Sequence, residues 1–226
     1  MRNIGGLVAG TLVHTDKGLV PIEQLKVGDM VLSKLENGHG KQVYKPVVRT
    51  IATENVGVRL VTCVLKDILD DVSRKFVKPI KYEELTNIVV TIDQPFWVVG
   101  KGWIQAGDIQ GHDLFELSDG RLAVVYKGGA FTAAKPIYHI PGNIRGWTVY
   151  NDEYNDDEAV YYEDFDLTPD VMRQRDIGEP YFDRYLGWHK DHNQRYTCTV
   201  YNFEVADTHT YYVGDIGVRI HDTNCN

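Results

Sequence analysis

Cysteine is scarce in this chain, and the three that occur, Cys63, Cys198 and Cys225, lie far apart in the sequence. An odd number at such spacings does not predict a disulfide framework or a zinc site, so we expect neither a metal nor a cofactor.

Long apolar runs are also missing. None approaches the roughly 20 residues of a membrane-spanning helix, and the N-terminus has no apolar signal-peptide core. We therefore expect no membrane partner and no export signal within these residues.

Positive charge is in deficit as well. The chain has 24 Lys and Arg against 32 Asp and Glu, a formal net charge of -8 at pH 7. Domains that bind nucleic acids usually carry an excess of basic residues, so we expect no nucleic-acid partner.

The hydrophobic fraction of 43% and the charged fraction of 25% are typical of a globular protein. A chain of 226 residues can form one substantial core, and we expect residues 1–226 to be a single domain.

Short segments rich in Val, Ile, Thr and Tyr recur along the chain, separated by Gly, Asp and Asn. Segments such as "VGDMVLSKL", "VRLVTCVLK" and "TNIVVTI" are typical of half-buried strands bounded by turns. Helical periodicity is weak until "TPDVMRQRD", where Thr168 could cap a short helix with Pro169 at its first position. The sequence therefore predicts an all-β fold with one possible short helix.

An acidic segment interrupts this pattern. Residues 150–170, "YNDEYNDDEAVYYEDFDLTPD", contain no Lys or Arg and interleave aromatic with acidic residues. We interpret the segment as a solvated insertion loop, with a docking surface for a basic partner as the alternative. Calcium binding is disfavoured because the glycine of an EF-hand-type loop is missing. The "HKDH" run at 189–192 has the spacing of metal ligands but no further ligands nearby in the sequence.

Three stretches of the chain resemble, in order, the motifs of a known superfamily. They are "GLVAGTLVHTDKGLVPIEQLKVGDMVLS", "VVTIDQPFWVVGKGWIQAGDI" and "TVYNFEVADTHTYYVGDIGVRIHD". Together they are similar to the Hint superfamily of hedgehog and intein-type autoprocessing domains, and in particular to bacterial Hint domains that precede the toxin part of polymorphic toxins. The resemblance implies a horseshoe of strands with pseudo-two-fold symmetry and a monomer. It spans almost the whole chain except residues 130–195, which we interpret as an insertion.

The resemblance implies chemistry on the domain's own flanking polypeptide. In such domains a Cys or Ser at the first position attacks the preceding carbonyl, and a Thr-x-x-His motif polarises that peptide. A downstream Ser, Thr or Cys accepts the acyl group, and an Asn beside a His then cyclises and breaks the C-terminal bond. These steps need a nucleophile near a carbonyl, a proton carrier and donors that face the developing oxyanion.

The N-terminal half of this machinery is altered here. The resemblance places the nucleophile position at Gly6, which has no side chain. The second motif keeps Thr91, but its His position is occupied by Gln94, whose amide donates a hydrogen bond but cannot shuttle a proton at neutral pH. We therefore predict that the N-terminal acyl shift is disabled. Engineered substitution and natural loss both remain open as explanations.

The C-terminal half keeps more of the motif residues. By the resemblance, Asn202 stands where inteins often have an Asp, His209 assists C-terminal cleavage, and His221 is the penultimate His. The cyclising Asn is replaced by Asp222, and Thr223 would follow the cleaved bond. We assign Asn202 a hydrogen bond and the two histidines proton transfer in this cleavage.

A second register and a second function stay open. Asn224 followed by Cys225 could also form the C-terminal junction, although His221 is then three positions away. The first functional hypothesis is a self-processing domain that releases a C-terminal toxin or other cargo, in a bacterial protein that is secreted or displayed at the cell surface. The alternative is a catalytically inactive Hint fold that binds a partner through its acidic insertion.

Overall fold

The computed structural model describes residues 5–70, 77–78, 84–130, 132–133, 144–152, 155–163, 170–173 and 197–222. Antiparallel strands dominate these residues, and the helical elements among them are two short 3-10 turns, Ile22–Gln24 and Lys66–Ile68. The all-β prediction is confirmed. Within the described part of the chain, no helix has the length and apolar character needed to cross a membrane.

Seventeen strands follow one another among the described residues. The first six are β1 (Leu7–Val8), β2 (Leu12–Thr15), β3 (Gly18–Pro21), β4 (Met30–Ser33), β5 (Val43–Leu65) and β6 (Thr86–Thr91). The others are β7 (Pro95–Val98), β8 (Gly102–Gln105), β9 (Leu114–Glu116), β10 (Leu122–Ala130), β11 (Thr132–Ala133), β12 (Ile144–Asp152), β13 (Asn155–Glu163), β14 (Asp170–Arg173), β15 (Thr197–Val205), β16 (Thr210–Val213) and β17 (Val218–His221).

One large sheet contains most of the described strands. Its order is β10-β9-β7-β17-β16-β2-β4-β5-β15-β1-β6, with β3 paired to β2 and β8 paired to β7. The long strand β5 pairs with β4, β15, β6 and β10 along its 23 residues. Because β1 lies between β15 and β6, the start of the described chain is held inside the sheet rather than at its edge.

The core beneath this sheet is built from β-branched and aromatic side chains. Phe96 and Phe115 stack with their ring centroids 5.2 Å apart, and Phe203 lies 4.1 Å from Tyr211. All four side chains are almost completely buried. Such aromatic pairs contribute about 0.5–1.5 kcal/mol beyond the burial of their area. The first pair joins β7 to β9 and the second joins β15 to β16, and β7, β15 and β16 lead into the functional residues.

The acidic insertion differs from the predicted loop. Strands β12 and β13 form an antiparallel hairpin, and with β11 and β14 they make a second, four-stranded sheet. The valine and two tyrosines of "EAVYYE" suit a strand, because side-chain packing on a pleated surface favours β-branched and aromatic residues.

The predicted short helix is also corrected. Asp170–Arg173 form β14 and pair with β13, so strand pairing overrides the local helix signal. Thr168, Pro169 and the "HKDH" run at 189–192 lie outside the described residues.

Candidate functional site

The turn between β6 and β7 contacts both ends of the candidate site. The backbone N–H of Thr91 donates to the Gly6 carbonyl oxygen over 2.9 Å. Three residues later, Gln94 Nε2 donates to the His221 carbonyl oxygen over 2.8 Å. One short turn therefore ties the chain before β1 to the chain at the end of β17.

Strand β15 makes a second connection between the same two places. Asn202 Nδ2 donates to the Gly5 carbonyl oxygen over 3.2 Å, and the Val205 N–H donates to Asp222 Oδ2 over 2.6 Å. We call the Gly5–Gly6 bond the N-terminal junction and the residues His221 and Asp222 the C-terminal junction. The predicted site residues converge here: Gly6, Thr91, Gln94, Asn202, His209, His221 and Asp222. Thr223 and Cys225 lie outside the described residues.

The N-terminal junction is packed around a glycine. Gly6 is buried, and a Cβ atom placed on it would lie 2.9 Å from Val200 Cγ2 and 3.3 Å from the Tyr201 carbonyl oxygen. Such a contact forces a neighbour to move, and the branched Val200 is fixed within β15. Position 6 therefore lacks a nucleophile and lacks the space for one.

Asn202 points its amide nitrogen at the N-terminal junction. Its Oδ1 accepts hydrogen bonds from the Phe203 N–H at 2.8 Å and from the Tyr211 hydroxyl at 2.9 Å. These donors fix the amide orientation and leave Nδ2 facing the Gly5 carbonyl. Burial raises the pKa of Tyr211 well above its ordinary value, so its hydroxyl keeps the proton that it donates. Asn202 thus contacts the N-terminal junction, and its role in C-terminal cleavage stays a prediction.

Two polar atoms in the segment from Thr91 to Gln94 are buried without a partner among the described residues. They are the Thr91 hydroxyl oxygen and Gln94 Oε1. Thr91 and Gln94 are 1% and 0% exposed, so bulk water does not reach them. The N-terminal junction consequently has hydrogen-bond donors, but its motif positions offer neither an attacking atom nor a proton carrier.

Both described cysteines are held in the neutral thiol form by burial. Burial raises the pKa of the Cys63 thiol to about 12, and burial raises that of Cys198 to about 11. The thiolate is the reactive form of cysteine, and these thiols stay protonated at neutral pH. Both therefore serve as strand residues, in β5 and β15 respectively.

The C-terminal junction centres on a buried carboxyl group. Asp222 is 0% exposed, and its Oδ2 accepts the short hydrogen bond from Val205. Its Oδ1 lies 3.3 Å from His209 Nδ1, and its own N–H donates to the His209 carbonyl oxygen over 2.9 Å. A buried carboxylate needs such partners, because burying it without them is costly.

His221 supplies a ring nitrogen to the adjacent carbonyl. Its Nδ1 lies 2.6 Å from the Asp222 carbonyl oxygen, which can only accept, so the ring donates in this contact. The opposite nitrogen, Nε2, contacts Glu36, and the Trp103 ring packs edge-on with centroids 4.9 Å apart. Sequence reasoning missed both contacts: Glu36 lies outside the quoted motifs, and Trp103 lies inside the second motif but was given no role at the site.

A strained turn places His209 beside Asp222. His209 has φ 52 and Asp207 has φ 63, in the left-handed region that non-glycine residues rarely occupy. Strain of this kind persists only where the surroundings hold it, and it is frequent at functional sites. The side chain of His209 is 36% exposed, so its ring contacts Asp222 on one side and reaches solvent on another.

A buried arginine supports the aromatic wall next to His221. Arg219 is 0% exposed, and its guanidinium lies 4.8 Å from the Trp97 ring and 5.2 Å from the Trp103 ring. Glu116 compensates its charge at 3.7 Å. Burial lowers the pKa of Arg219 below its usual value, but this group remains charged at neutral pH. The stack holds Trp103 against His221, and the motifs that contain these residues did not reveal that they are in contact.

The chain resembles known proteins in structure rather than in sequence. No protein-family model and no curated protein matches the chain. Among solved structures, the bacterial intein-like domain from Clostridium thermocellum aligns over 96% of this chain and 99% of its own, with 22% identity and a TM-score of 0.55. The protein has an intein-like fold. This likeness confirms the predicted Hint-type fold, and at this identity it establishes the fold alone.

Other solved inteins align with this chain at lower TM-scores. The DnaB intein from Synechocystis sp. PCC 6803 shows 11% identity and a TM-score of 0.48, covering 97% of this chain and 99% of its own. The gp41-1 intein shows 14% identity and a TM-score of 0.48, covering 96% of this chain and 98% of its own.

Among the residues that the structure describes, this chain has no cluster of three or more His, Cys, Asp or Glu side chains that could hold a metal ion.

Proposed function

We propose that the intein-like domain is a self-processing domain that cleaves the bond after Asp222 and leaves the bond before Gly6 intact. The observation that carries this proposal is the contrast at the two junctions. Asp222 is buried against Val205 and His209, and His221 bonds its carbonyl oxygen. At the other junction, Gly6 has no side chain and Val200 fills the adjacent space.

The proposed reaction uses the Asp222 carboxylate as the attacking group. A carboxylate oxygen attacks the Asp222 carbonyl carbon and forms a five-membered cyclic anhydride, while the bond to the amine of residue 223 breaks. His221 Nδ1 donates to the carbonyl oxygen as charge develops there, and a ring proton passes to the departing amine. Water then opens the anhydride and regenerates a carboxyl group at residue 222.

This cleavage should be slow in the native chain. Attack requires one carboxylate oxygen to leave its partner, the Val205 N–H or the His209 ring, and both contacts stabilise the resting carboxylate. An asparagine at 222 could keep an oxygen on Val205 and place Nδ2 next to His209 Nδ1. His209 could then accept a proton from the attacking amide, as a positioned general base. We therefore expect Asp222→Asn to cleave faster.

A fusion with a C-terminal reporter tests the proposal. The parent, Asp222→Asn and Asp222→Ala precursors are incubated at neutral pH and followed by gel and intact mass. We expect at least about tenfold faster release in Asp222→Asn, equivalent to about 1.4 kcal/mol in the activation barrier, and no release in Asp222→Ala. Asp215→Asn is the matched control, since this exposed residue lies in the turn before β17. Equal release from Asp222→Asn and the parent would contradict the proposal.

The mass of the product also decides between the two C-terminal registers. A domain ending at residue 222 supports the Asp222–Thr223 bond, and a domain ending at residue 224 supports the Asn224–Cys225 alternative. We favour the first, because His221 contacts the Asp222 carbonyl oxygen directly.

The released segment is proposed to be a toxin or other cargo placed after the domain. The support is the likeness of the sequence motifs to bacterial Hint domains that precede toxins, which also suggests a secreted or cell-surface protein. An open reading frame that continues well past residue 226 of the parent gene would support this assignment. A stop codon at that point would favour the alternative of an inactive partner-binding domain.

The partner-binding alternative can be tested separately from self-processing. The acidic hairpin β12–β13 belongs to a sheet separate from the one that holds both junctions. A variant without this hairpin would therefore distinguish the two functions. Cleavage retained without the hairpin favours self-processing, and an absence of cleavage in both the parent and Asp222→Asn favours partner binding.

A further inference from the structure

Gln94 stands where the family places a proton-carrying histidine, but its side chain is directed to the other junction. Its Nε2 donates to the His221 carbonyl oxygen over 2.8 Å and approaches the Pro95 carbonyl oxygen at 3.4 Å. The residue is 0% exposed. Its backbone is fixed by the Ala106 N–H, which donates to the Gln94 carbonyl oxygen over 2.8 Å.

The orientation of this amide is set by chemistry. The His221 carbonyl oxygen can only accept, so the atom that faces it must be the amide nitrogen. The reversed orientation would bring two acceptor oxygens together in a buried place. Gln94 Oε1 has no hydrogen-bond partner among the described residues, so the contact with His221 accounts for the fixed position of the side chain.

The peptide between His221 and Asp222 is consequently held from both sides. Gln94 bonds its carbonyl oxygen, and the His209 carbonyl accepts its N–H over 2.9 Å. Rotation about the bonds that flank this peptide would move the Asp222 carbonyl oxygen away from His221 Nδ1, which donates to it over 2.6 Å. This donor must face the oxygen as charge develops there, and a misplacement of about 1 Å can cost 10²-fold in rate.

We propose that Gln94 is a positioning residue for the C-terminal bond, which it serves by fixing the His221–Asp222 peptide. The inference rests on the proposed cleavage after Asp222, and it gives the residue at the former proton-relay position a role at the opposite junction. Gln94 takes no part in proton transfer. It acts through His221, and its hydrogen bond is the link between the β6–β7 turn and the reacting residue.

The first test needs no cleavage. In the uniformly ¹⁵N/¹³C-labelled full chain, a scalar coupling across the hydrogen bond should connect Gln94 Nε2 with the His221 carbonyl carbon. Absence of this coupling in the folded parent would overturn the proposal, whatever the variants show.

The second test compares two glutamines of the same bonding type. Gln94→Met removes the donor and keeps the length and an uncharged side chain. Gln42→Met is the matched control, because Gln42 Nε2 also donates to a backbone carbonyl over 2.8 Å, that of Ser118. We expect the Asp222 amide to exchange with deuterium roughly tenfold faster in Gln94→Met than in Gln42→Met. Equal exchange in the two variants would overturn the proposal.

The third test separates the positioning role from the proposed function. Both Met substitutions are introduced into the Asp222→Asn precursor, and release of the C-terminal reporter is timed. We expect Gln94→Met to slow release about tenfold or more and Gln42→Met to leave it unchanged. Equal rates contradict the positioning role. If no precursor cleaves, the proposed function fails, and the coupling and the amide exchange still decide whether Gln94 holds the junction.

Discussion

The two junctions of the domain share a scaffold and differ in the chemistry that the scaffold carries. At the N-terminal junction, Asn202 and the Thr91 N–H bond the Gly5 and Gly6 carbonyls, but position 6 offers no attacking atom. At the C-terminal junction, Asp222 has a nucleophilic group and two histidines beside it. The N-terminal junction therefore has hydrogen-bond donors to its carbonyls without a side chain at position 6, and the C-terminal junction has both donors and a carboxyl group.

The packing at Gly6 bears on how this difference arose. Val200 occupies the space that a Cβ at position 6 would need, so the strand next to the junction fits a glycine. An engineered glycine would be expected to leave the space of the lost side chain open, because large-to-small changes commonly leave cavities. We therefore propose natural substitution, rather than engineering, as the explanation for a glycine at position 6.

Loss of His221 should have the largest effect on the C-terminal junction. In the Asp222→Asn precursor we predict that His221→Ala slows reporter release by about 10²- to 10⁴-fold, because a positioned acid or base contributes that much. His14→Ala is the control, since His14 Nε2 also bonds a backbone carbonyl, that of Gly214, over 2.9 Å. The rate is read by gel densitometry. A similar loss in both variants would indicate a general fold defect.

Restoring a thiol should partly erase the difference between the junctions. Gly6→Cys alone should unfold more easily by about 1–3 kcal/mol, because its Cβ overlaps Val200. Adding Val200→Ala should recover the stability and allow slow, thiol-dependent release of an upstream reporter. Urea titration and mass spectrometry measure the two effects. The Gly6→Ala/Val200→Ala pair has the same packing without the thiol, and release from it would refute the assignment of position 6.

Asn202 should matter for stability and little for C-terminal cleavage. Asn202→Leu leaves the buried Tyr211 hydroxyl and the Gly5 carbonyl without this partner. We predict a loss of about 1–3 kcal/mol in unfolding free energy, with reporter release from the Asp222→Asn precursor changed by less than about threefold. Chemical denaturation and a cleavage time course check the two parts. A large fall in the cleavage rate of a fully folded variant would instead return Asn202 to the C-terminal reaction.

Glu36 should have the smallest effect. It contacts His221 Nε2 from a half-exposed position, so its contribution is that of a screened surface pair. Glu36→Gln should slow release from the Asp222→Asn precursor by no more than about fivefold, which corresponds to about 1 kcal/mol. Glu54→Gln, at an exposed position in β5, is the control for a general charge effect.

The sequence predicted more of the site than of its surroundings. The strand pattern indicated the all-β fold, and motif resemblance selected residues that the sheet brings together, from Gly6 to Asp222. It could not reveal Val200, Glu36 or Trp103, because their contacts depend on strand register and on loop paths that no local pattern encodes. The contact of the Gln94 side chain with the C-terminal junction was hidden for the same reason.

The insertion shows the opposite limit. Its acidic composition suggested a loop, and the end of the segment carried a helix signal at Thr168. The structure pairs Asp170–Arg173 with β13 instead. Charge and local propensity describe single residues. The stability of a hairpin depends on which side chains lie opposite each other on its two strands.

The most direct test of the account is a precursor with different reporters at its two ends, followed by intact mass at neutral pH with and without an added thiol. The parent chain and Asp222→Asn are compared over the same times. The account predicts that only the C-terminal reporter is released, faster in Asp222→Asn, and that the upstream reporter stays attached under both conditions. Release of the upstream reporter, or equal C-terminal release from the two chains, would contradict it.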